Sequence, residues 1–161
     1  MGVYSVRGFP QATGSGVADV AIAQLWNNDT LKRVSVLEVG VHVAGLTGGR
    51  ASLARTTVRG TPNSTVTPDG DNAWDNDDVP PSGVLLDLAV FSTQPTLADP
   101  RVWGMCIRDA ASVAGSGGVG FVWTMPRGFW VPPQAGLSIQ AMDADVVSWV
   151  ASEVYFVWEE G

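Results

Sequence analysis

Residues 69–78 carry five aspartates, the densest group of side chains in this sequence that could perform chemistry. Calcium takes about six to eight oxygen ligands from carboxylates, carbonyls and water, so a segment of this composition could bind the ion. The spacing differs from that of the helix-flanked calcium loop, because its glycine comes too early and no glutamate closes it. A solvated acidic loop is the simpler interpretation. The candidate ligands are Asp69, Asp71, Asp75, Asp77 and Asp78.

Trp74 lies in the middle of this acidic segment. A large aromatic side chain is unusual in a purely solvated loop, so we expect Trp74 to hold the segment against the body of the protein or to contact a partner. The segment belongs to a longer stretch, residues 60–81, that has no strand-length apolar run. That stretch is predicted to be a long loop, and loops of this length are uncommon unless they serve a function.

Few other side chains could take part in catalysis. His42 is the only histidine, which excludes a multi-histidine metal site and leaves a serine–histidine–aspartate triad dependent on this one residue. No serine lies in a Gly-x-Ser-x-Gly elbow, so we interpret His42 as a hydrogen-bonded strand residue. Glu38 and Glu153 lie on predicted strands and are candidates for the carboxylate pair of a glycosidase. Exposed strand positions explain both glutamates equally well, and we expect no enzymatic activity.

The sequence offers no convincing cofactor site. Residues 115–120 fit the spacing G-x-G-x-x-G, but a dinucleotide-binding loop must open a helix, whereas Phe121, Val122 and Trp123 continue as a strand. We therefore predict a hairpin turn here. Cys106 is the only cysteine, which excludes an intramolecular disulfide and a thiolate zinc site. Calcium at the acidic segment is the one bound ion left open.

Period-two alternation predicts the strands that would position these residues. Apolar side chains alternate along 33–43 and again along 137–141, as expected for half-buried strands. Pro132 and Pro133 exclude a continuous helix or central strand between such runs. Residues 17–26 fit both strand and helix, and we favour a strand because a turn and a clear strand follow.

The last apolar run differs from the others. Its residues Val154, Phe156 and Trp158 share one side of a strand, while Tyr155 and Val157 share the other. A strand that is apolar on both sides should be covered on both. It is therefore either a central strand or a strand packed against another subunit, and we predict a partner interface that includes Val154, Phe156, Trp158 and the distant Trp74.

About eight strands at regular spacing predict an all-β protein, an antiparallel β-sandwich or jelly roll. We expect residues 1–16 to form an N-terminal arm or edge strand and residues 17–161 to form a single jelly-roll domain. No apolar run approaches the length of a membrane span, and the first residues lack the features of a secretory signal.

The net charge of the chain limits the classes of partner it can bind. The chain has a formal net charge of −7, with Lys32 as its single lysine. No basic stripe is available to neutralise phosphates, so we expect no binding to nucleic acid. Seven tryptophans are many for a chain of this length. A sandwich core absorbs several of them, whereas a row on one face would form a carbohydrate platform or a subunit interface.

Five segments carry a resemblance to known proteins. They are Tyr4–Gly8 (YSVRG), Gln24–Asn27 (QLWN), Arg55–Pro62 (RTTVRGTP), Pro126–Pro133 (PRGFWVPP) and Ser152–Glu159 (SEVYFVWE). The set spans nearly the whole chain and resembles small proteins encoded in the structural gene clusters of tailed bacteriophages and prophages. It also looks like the jelly-roll decoration, or cement, proteins that sit as trimers on capsid shells.

The resemblance implies a non-enzymatic virion protein that is made in the host cytoplasm and decorates the capsid surface. It implies a homotrimer with the major capsid protein as partner, and it implies no catalytic residue. Phage jelly rolls also serve in head spikes, fibres and baseplates, so a glycan- or receptor-binding module is the alternative. One departure concerns the arm: some cement proteins tie themselves to the shell with long arms, whereas only residues 1–16 are available here.

Overall fold

The computed structural model describes residues 2–10, 20–43, 49–68, 83–98, 103–107, 119–142 and 151–160. All regular structure in these ranges is β-strand. In chain order the strands are β1 (Gly2–Gly8), β2 (Val20–Asn27), β3 (Val34–Val43), β4 (Gly49–Val58), β5 (Thr61–Val66), β6 (Val84–Thr93), β7 (Thr96–Leu97), β8 (Trp103–Ile107), β9 (Val119–Val131), β10 (Ala135–Ala141) and β11 (Ala151–Glu160).

The strands form two antiparallel sheets packed face to face. One sheet has four strands in the order β1-β11-β3-β9, and the other has seven, in the order β5-β6-β2-β10-β4-β7, with β8 also paired to β4. If β5 and β6 are left out and the short β7 and β8 are counted as one strand, the strand orders of the two sheets are those of a jelly roll. The predicted all-β sandwich is confirmed.

Most predicted strands are present, and the main error concerns β5. Residues 17–26 do contain a strand, β2, as favoured over a helix. The predicted loop over 60–81 is wrong for Thr61–Val66, which pairs with β6. This strand was missed because its side chains are polar and largely exposed, so it lacks an apolar period. Pro62 is tolerated in it because β5 lies at the edge of its sheet.

The core lies between the two sheets. Tyr4 of β1 stacks on Trp158 of β11 with ring centroids 5.8 Å apart, and burying each such side chain contributes roughly 2–3 kcal/mol. The same alternation that buries one side of β11 leaves the opposite side of the four-stranded sheet facing outward. The largest fully buried apolar side chains come from both sheets: Trp158, Phe156, Ile22, Leu25, Leu53, Leu86, Leu137 and Ile139.

The seven-stranded sheet curls over its own outer surface. Only Arg59 and Gly60 separate β4 from β5, and this link spans at most about 11 Å. In a flat sheet of the observed order the two strands would be about 19 Å apart, so the sheet cannot be flat. The curl buries polar side chains on the outside of the sheet, where Gln24 donates to Thr56 Oγ1 at 2.6 Å and accepts from the Gly60 N–H at 3.1 Å.

The N-terminal residues form an edge strand. β1 pairs with β11 along its whole length, from Gly2 opposite Glu160 to Gly8 opposite Val154. β1 is thus an edge strand over Gly2–Gly8, and residues 11–16 of the segment predicted to be an arm or edge strand lie outside the described residues.

Candidate interaction face on the four-stranded sheet

The outward side of the four-stranded sheet brings together Glu38, His42 and Glu153, three of the polar residues that the sequence singled out. A row of paired residues crosses all four strands: Arg7 lies opposite Tyr155, Tyr155 opposite Gly40, and Gly40 opposite Val122. We call the outward side chains around this row the open face. Its members are Arg7, Glu38, Gly40, His42, Val122, Glu153 and Tyr155.

Tyr155 lies at the centre of the open face. Its side chain starts from β11 and extends across β3, where its hydroxyl donates to Glu38 Oε1 at 2.7 Å. The ring fills the space above Gly40, and a Cβ at that position would overlap it. Gly40 is therefore required by the close approach of an aromatic ring, which packs well against a glycine on a neighbouring strand.

The hydroxyl of Tyr155 is held in its protonated form. Burial, followed by the hydrogen bond to Glu38 and the negative charges of Glu38 and Glu153, raises the pKa of Tyr155 to about 12. At physiological pH the phenol therefore remains a donor to Glu38, and the ring keeps one position on the sheet. An aromatic side chain fixed in this way loses little conformational entropy when it contacts a partner.

The two candidate glutamates are bound by different partners. Glu38 lies opposite Val157 on β11, four residues from Glu153, so their backbones are about 13 Å apart along the strands. Glu38 accepts from Tyr155, whereas Glu153 lies 3.9 Å from the guanidinium of Arg7 on β1. The carboxyl groups of a glycosidase lie about 5 to 9.5 Å apart on either side of the substrate, and these two are held by different partners on an open sheet surface.

His42 is exposed at the end of β3. It lies opposite Glu153 in the β3–β11 register, so it adds a polar group to the open face. The interpretation as an ordinary strand residue agrees with this position. Among the described residues, no three His, Cys, Asp or Glu side chains are placed to hold a metal ion together.

The predicted partner residues on β11 lie in the interior. Val154, Phe156 and Trp158 are each 0% exposed and pack between the two sheets. Of the two alternatives that the sequence left open, β11 is therefore a central strand, and a partner could reach it only from the side of Tyr155 and Val157. Trp74 and the five aspartates of the acidic segment lie outside the described residues.

A shallow depression with an empty volume of about 150 Å³, open to solvent, lies at the end of the sandwich. Glu160 lies at its wall, where burial raises the pKa of the carboxyl group despite the hydrogen bond it accepts from Trp158 Nε1 at 3.1 Å. Asp29 and Lys32 also line it. The depression is too small for a sugar or a nucleotide, so the open face is the better candidate for binding.

Sequence reasoning missed the central role of Tyr155 and Gly40. The alternation along β11 did place Tyr155 opposite the buried side chains, and a glycine inside a strand indicates close approach of another group. The two signals could not be combined because the pairing of β11 with β3 joins residues more than a hundred positions apart, as the separation of Tyr155 from Glu38 shows.

No protein-family model matches this chain, no curated protein is significantly similar to it, and no solved structure matches its fold significantly. None of the described residues forms a helix long and apolar enough to cross a membrane.

Proposed function

We propose that this protein is a non-enzymatic structural component of a tailed-phage particle, which decorates and cements the capsid shell as a homotrimer. It would be made in the host cytoplasm and end on the outer surface of the virion, in contact with the major capsid protein. The resemblance of five segments to phage structural proteins supports this function, as does the jelly-roll topology. The observation that carries the proposal is the open face, with Tyr155 fixed at its centre.

The composition of the open face suits a contact between protein subunits. Non-obligate interfaces mix apolar and polar groups and are enriched in tyrosine and arginine. Here a tyrosine ring lies beside Val122, which is 45% exposed, and charged groups of both signs surround them. Arg7 offsets the charge of Glu153 on this face, which reduces the repulsion between copies of a chain that carries −7.

A pair of valine variants tests the oligomer. Val122→Asp places a charge in the middle of the open face, and Val58→Asp places the same charge on β4 of the other sheet, where the valine is 55% exposed. We expect light scattering to give about three times the chain mass of 16.9 kDa for the wild type and for Val58→Asp, and a single-chain mass for Val122→Asp. A wild type that stays at 16.9 kDa at every practical concentration, or two variants that behave alike, would remove the open face as the subunit contact.

A glycan- or receptor-binding module of a fibre, spike or baseplate is the second candidate. The observation that favours it is the same tyrosine, because an aromatic ring beside the hydrogen-bonding groups of Glu38, Arg7 and Glu153 is also suitable chemistry for holding a sugar. A glycan array with the wild type and Tyr155→Ala distinguishes the two: a sugar bound by the wild type and lost in the variant favours the module, and an empty array favours the subunit contact.

A further inference from the structure

The hydroxyl of Tyr155 has its hydrogen-bond partner inside its own chain. It donates to Glu38 Oε1 at 2.7 Å, and both side chains are only partly buried in the single chain. A tyrosine hydroxyl that is buried against a partner needs an acceptor, and leaving it without one is costly. Because Glu38 already supplies the acceptor, a second copy of the chain would only have to provide a surface for the ring.

The bond to Glu38 runs diagonally between two strands. Tyr155 of β11 lies opposite Gly40 of β3, whereas Glu38 lies opposite Val157, two residues farther along β11. Diagonal neighbours on adjacent strands are about 7–8 Å apart, within reach of long and aromatic side chains. Side chains on a strand usually stand roughly perpendicular to the sheet. The bond instead draws the Tyr155 ring across β3, where it fills the space above Gly40.

Gly40 makes room for the ring but has no side chain that could hold it in one orientation. A hydrogen bond constrains direction as well as distance, which packing on a glycine does not. Burial and the bond to Glu38 raise the pKa of Tyr155 to about 12, so the phenol remains a donor at neutral pH. The orientation of the ring therefore depends on the acceptor at position 38.

We propose that Glu38 is a positioning residue for the subunit contact, which holds the Tyr155 ring across β3 in the orientation that a second copy of the chain contacts. Glu38 acts through Tyr155 and need not touch the second copy itself. This role rests on the proposed function, in which copies of the chain meet at the open face. The acceptor oxygen of Glu38, and not its charge, is the feature that the contact requires.

Two substitutions at position 38 separate the acceptor from the charge. Glu38→Gln and Glu38→Leu both remove the negative charge, but only Glu38→Gln keeps a side-chain oxygen that can accept from Tyr155. Each is measured in the wild-type background and in Tyr155→Phe, which has no hydroxyl to donate. Sedimentation velocity over a concentration series gives the concentration at which half of the chains are assembled, and urea unfolding gives the stability of each variant.

In the wild-type background, Glu38→Leu should need about tenfold more protein than Glu38→Gln for half-assembly. Each contact must then fix a free ring and bury a hydroxyl that has lost its acceptor. The apolar side chain introduced by Glu38→Leu would by itself strengthen a contact, so it does not account for this deficit. In the Tyr155→Phe background the deficit should disappear, since position 38 has no hydroxyl to hold.

The outcomes separate this role of Glu38 from the proposed function. If the wild type assembles but Glu38→Gln and Glu38→Leu behave alike, or if the deficit persists in Tyr155→Phe, Glu38 does not act through Tyr155; its role is overturned and the oligomer stands. A deficit that disappears once the folded fraction of each variant is taken into account shows a structural role and has the same consequence. A wild type that remains a single chain at every concentration overturns both.

Discussion

The buried ion pair between Arg59 and Asp87 allows a sharp test of how the curled sheet is held together. Arg59 donates to both oxygens of Asp87 at 2.7 Å, and Thr65 donates to the same carboxylate at 2.7 Å. The carboxylate side chain is 0% exposed, whereas 34% of the arginine side chain is exposed. The pair therefore joins the end of β4 to β5 and β6, which lie at the other side of the sheet.

Arg59→Ala should destabilise the protein by about 3 kcal/mol. Removing one partner of a buried ion pair costs about 3–5 kcal/mol, because the other charge is left buried. We take the low end, since Thr65 still donates to Asp87 and water can enter where the partly exposed arginine was. In urea, with a slope of about 2 kcal/mol per molar for a chain of this size, the unfolding midpoint should fall by about 1.5 M.

Arg7→Ala is the matched control. Arg7 also lies near a carboxylate, but its distance to Glu153 is 3.9 Å and 74% of its side chain is exposed, so the expected change is below about 0.5 kcal/mol. Equilibrium unfolding followed by tryptophan fluorescence measures both variants. If Arg59→Ala shifts the unfolding midpoint no more than Arg7→Ala does, the buried charge of Asp87 is not stabilised by Arg59, and the ion pair does not hold the curled sheet together.

Three further predictions concern the open face and the acidic segment. The contribution of Tyr155 to stability should be constant below pH 10 and should fall by about 1 kcal/mol, after allowance for solvent exposure, between pH 10 and pH 12. The reason is that the pKa of Tyr155 is raised to about 12, so the same tyrosine ionises first in the unfolded chain; an unchanged slope in Tyr155→Phe would contradict this. Gly40→Ala should lower the free energy of unfolding by about 1–3 kcal/mol, because the new Cβ would overlap the Tyr155 ring. Calorimetry of the double variant Gly40→Ala, Tyr155→Ala should show little further loss of stability; fully additive losses would contradict the packing of the ring on Gly40. The third prediction concerns a triple variant of the acidic segment, Asp75→Asn, Asp77→Asn and Asp78→Asn. If calcium or the arginines of a partner hold this segment, the variant should bind the shell more weakly or respond less to calcium, and its fold should not change. Unchanged binding and an unchanged melting temperature, with and without chelator, would show that the segment is a solvated loop.

The sandwich was predictable because its strands carry their own signal. β10 shows apolar and polar residues in alternation, with Leu137 and Ile139 in the core and Ser138 and Gln140 on the other side, although that side is buried too and the strand is not half-exposed as the alternation predicted. The double proline before it marked the turn. β5 was not predictable in the same way, because an edge strand made of polar residues is stabilised by its pairing to β6 and not by burial. Local periodicity cannot report such a long-range contact.

The candidate face was only partly predictable for the same reason. The sequence indicated that β11 was covered on both sides, but it could not show that Val154, Phe156 and Trp158 face the other sheet. The contact between the β2–β3 turn and the β9–β10 turn was also missed, since the hydrogen bond from the Gln134 side chain to the Asn28 carbonyl joins positions more than a hundred residues apart. Turn residues on each side were visible in the sequence, whereas their mutual locking is a property of the fold.

A cryo-electron-microscopy reconstruction of tailed-phage particles that carry this chain tests the central proposal most directly. The proposal predicts jelly-roll densities in groups of three on the outer surface of the capsid, in contact with the major capsid protein. Density for the chain at the tail, fibres or baseplate, or purified particles without the chain, would contradict it.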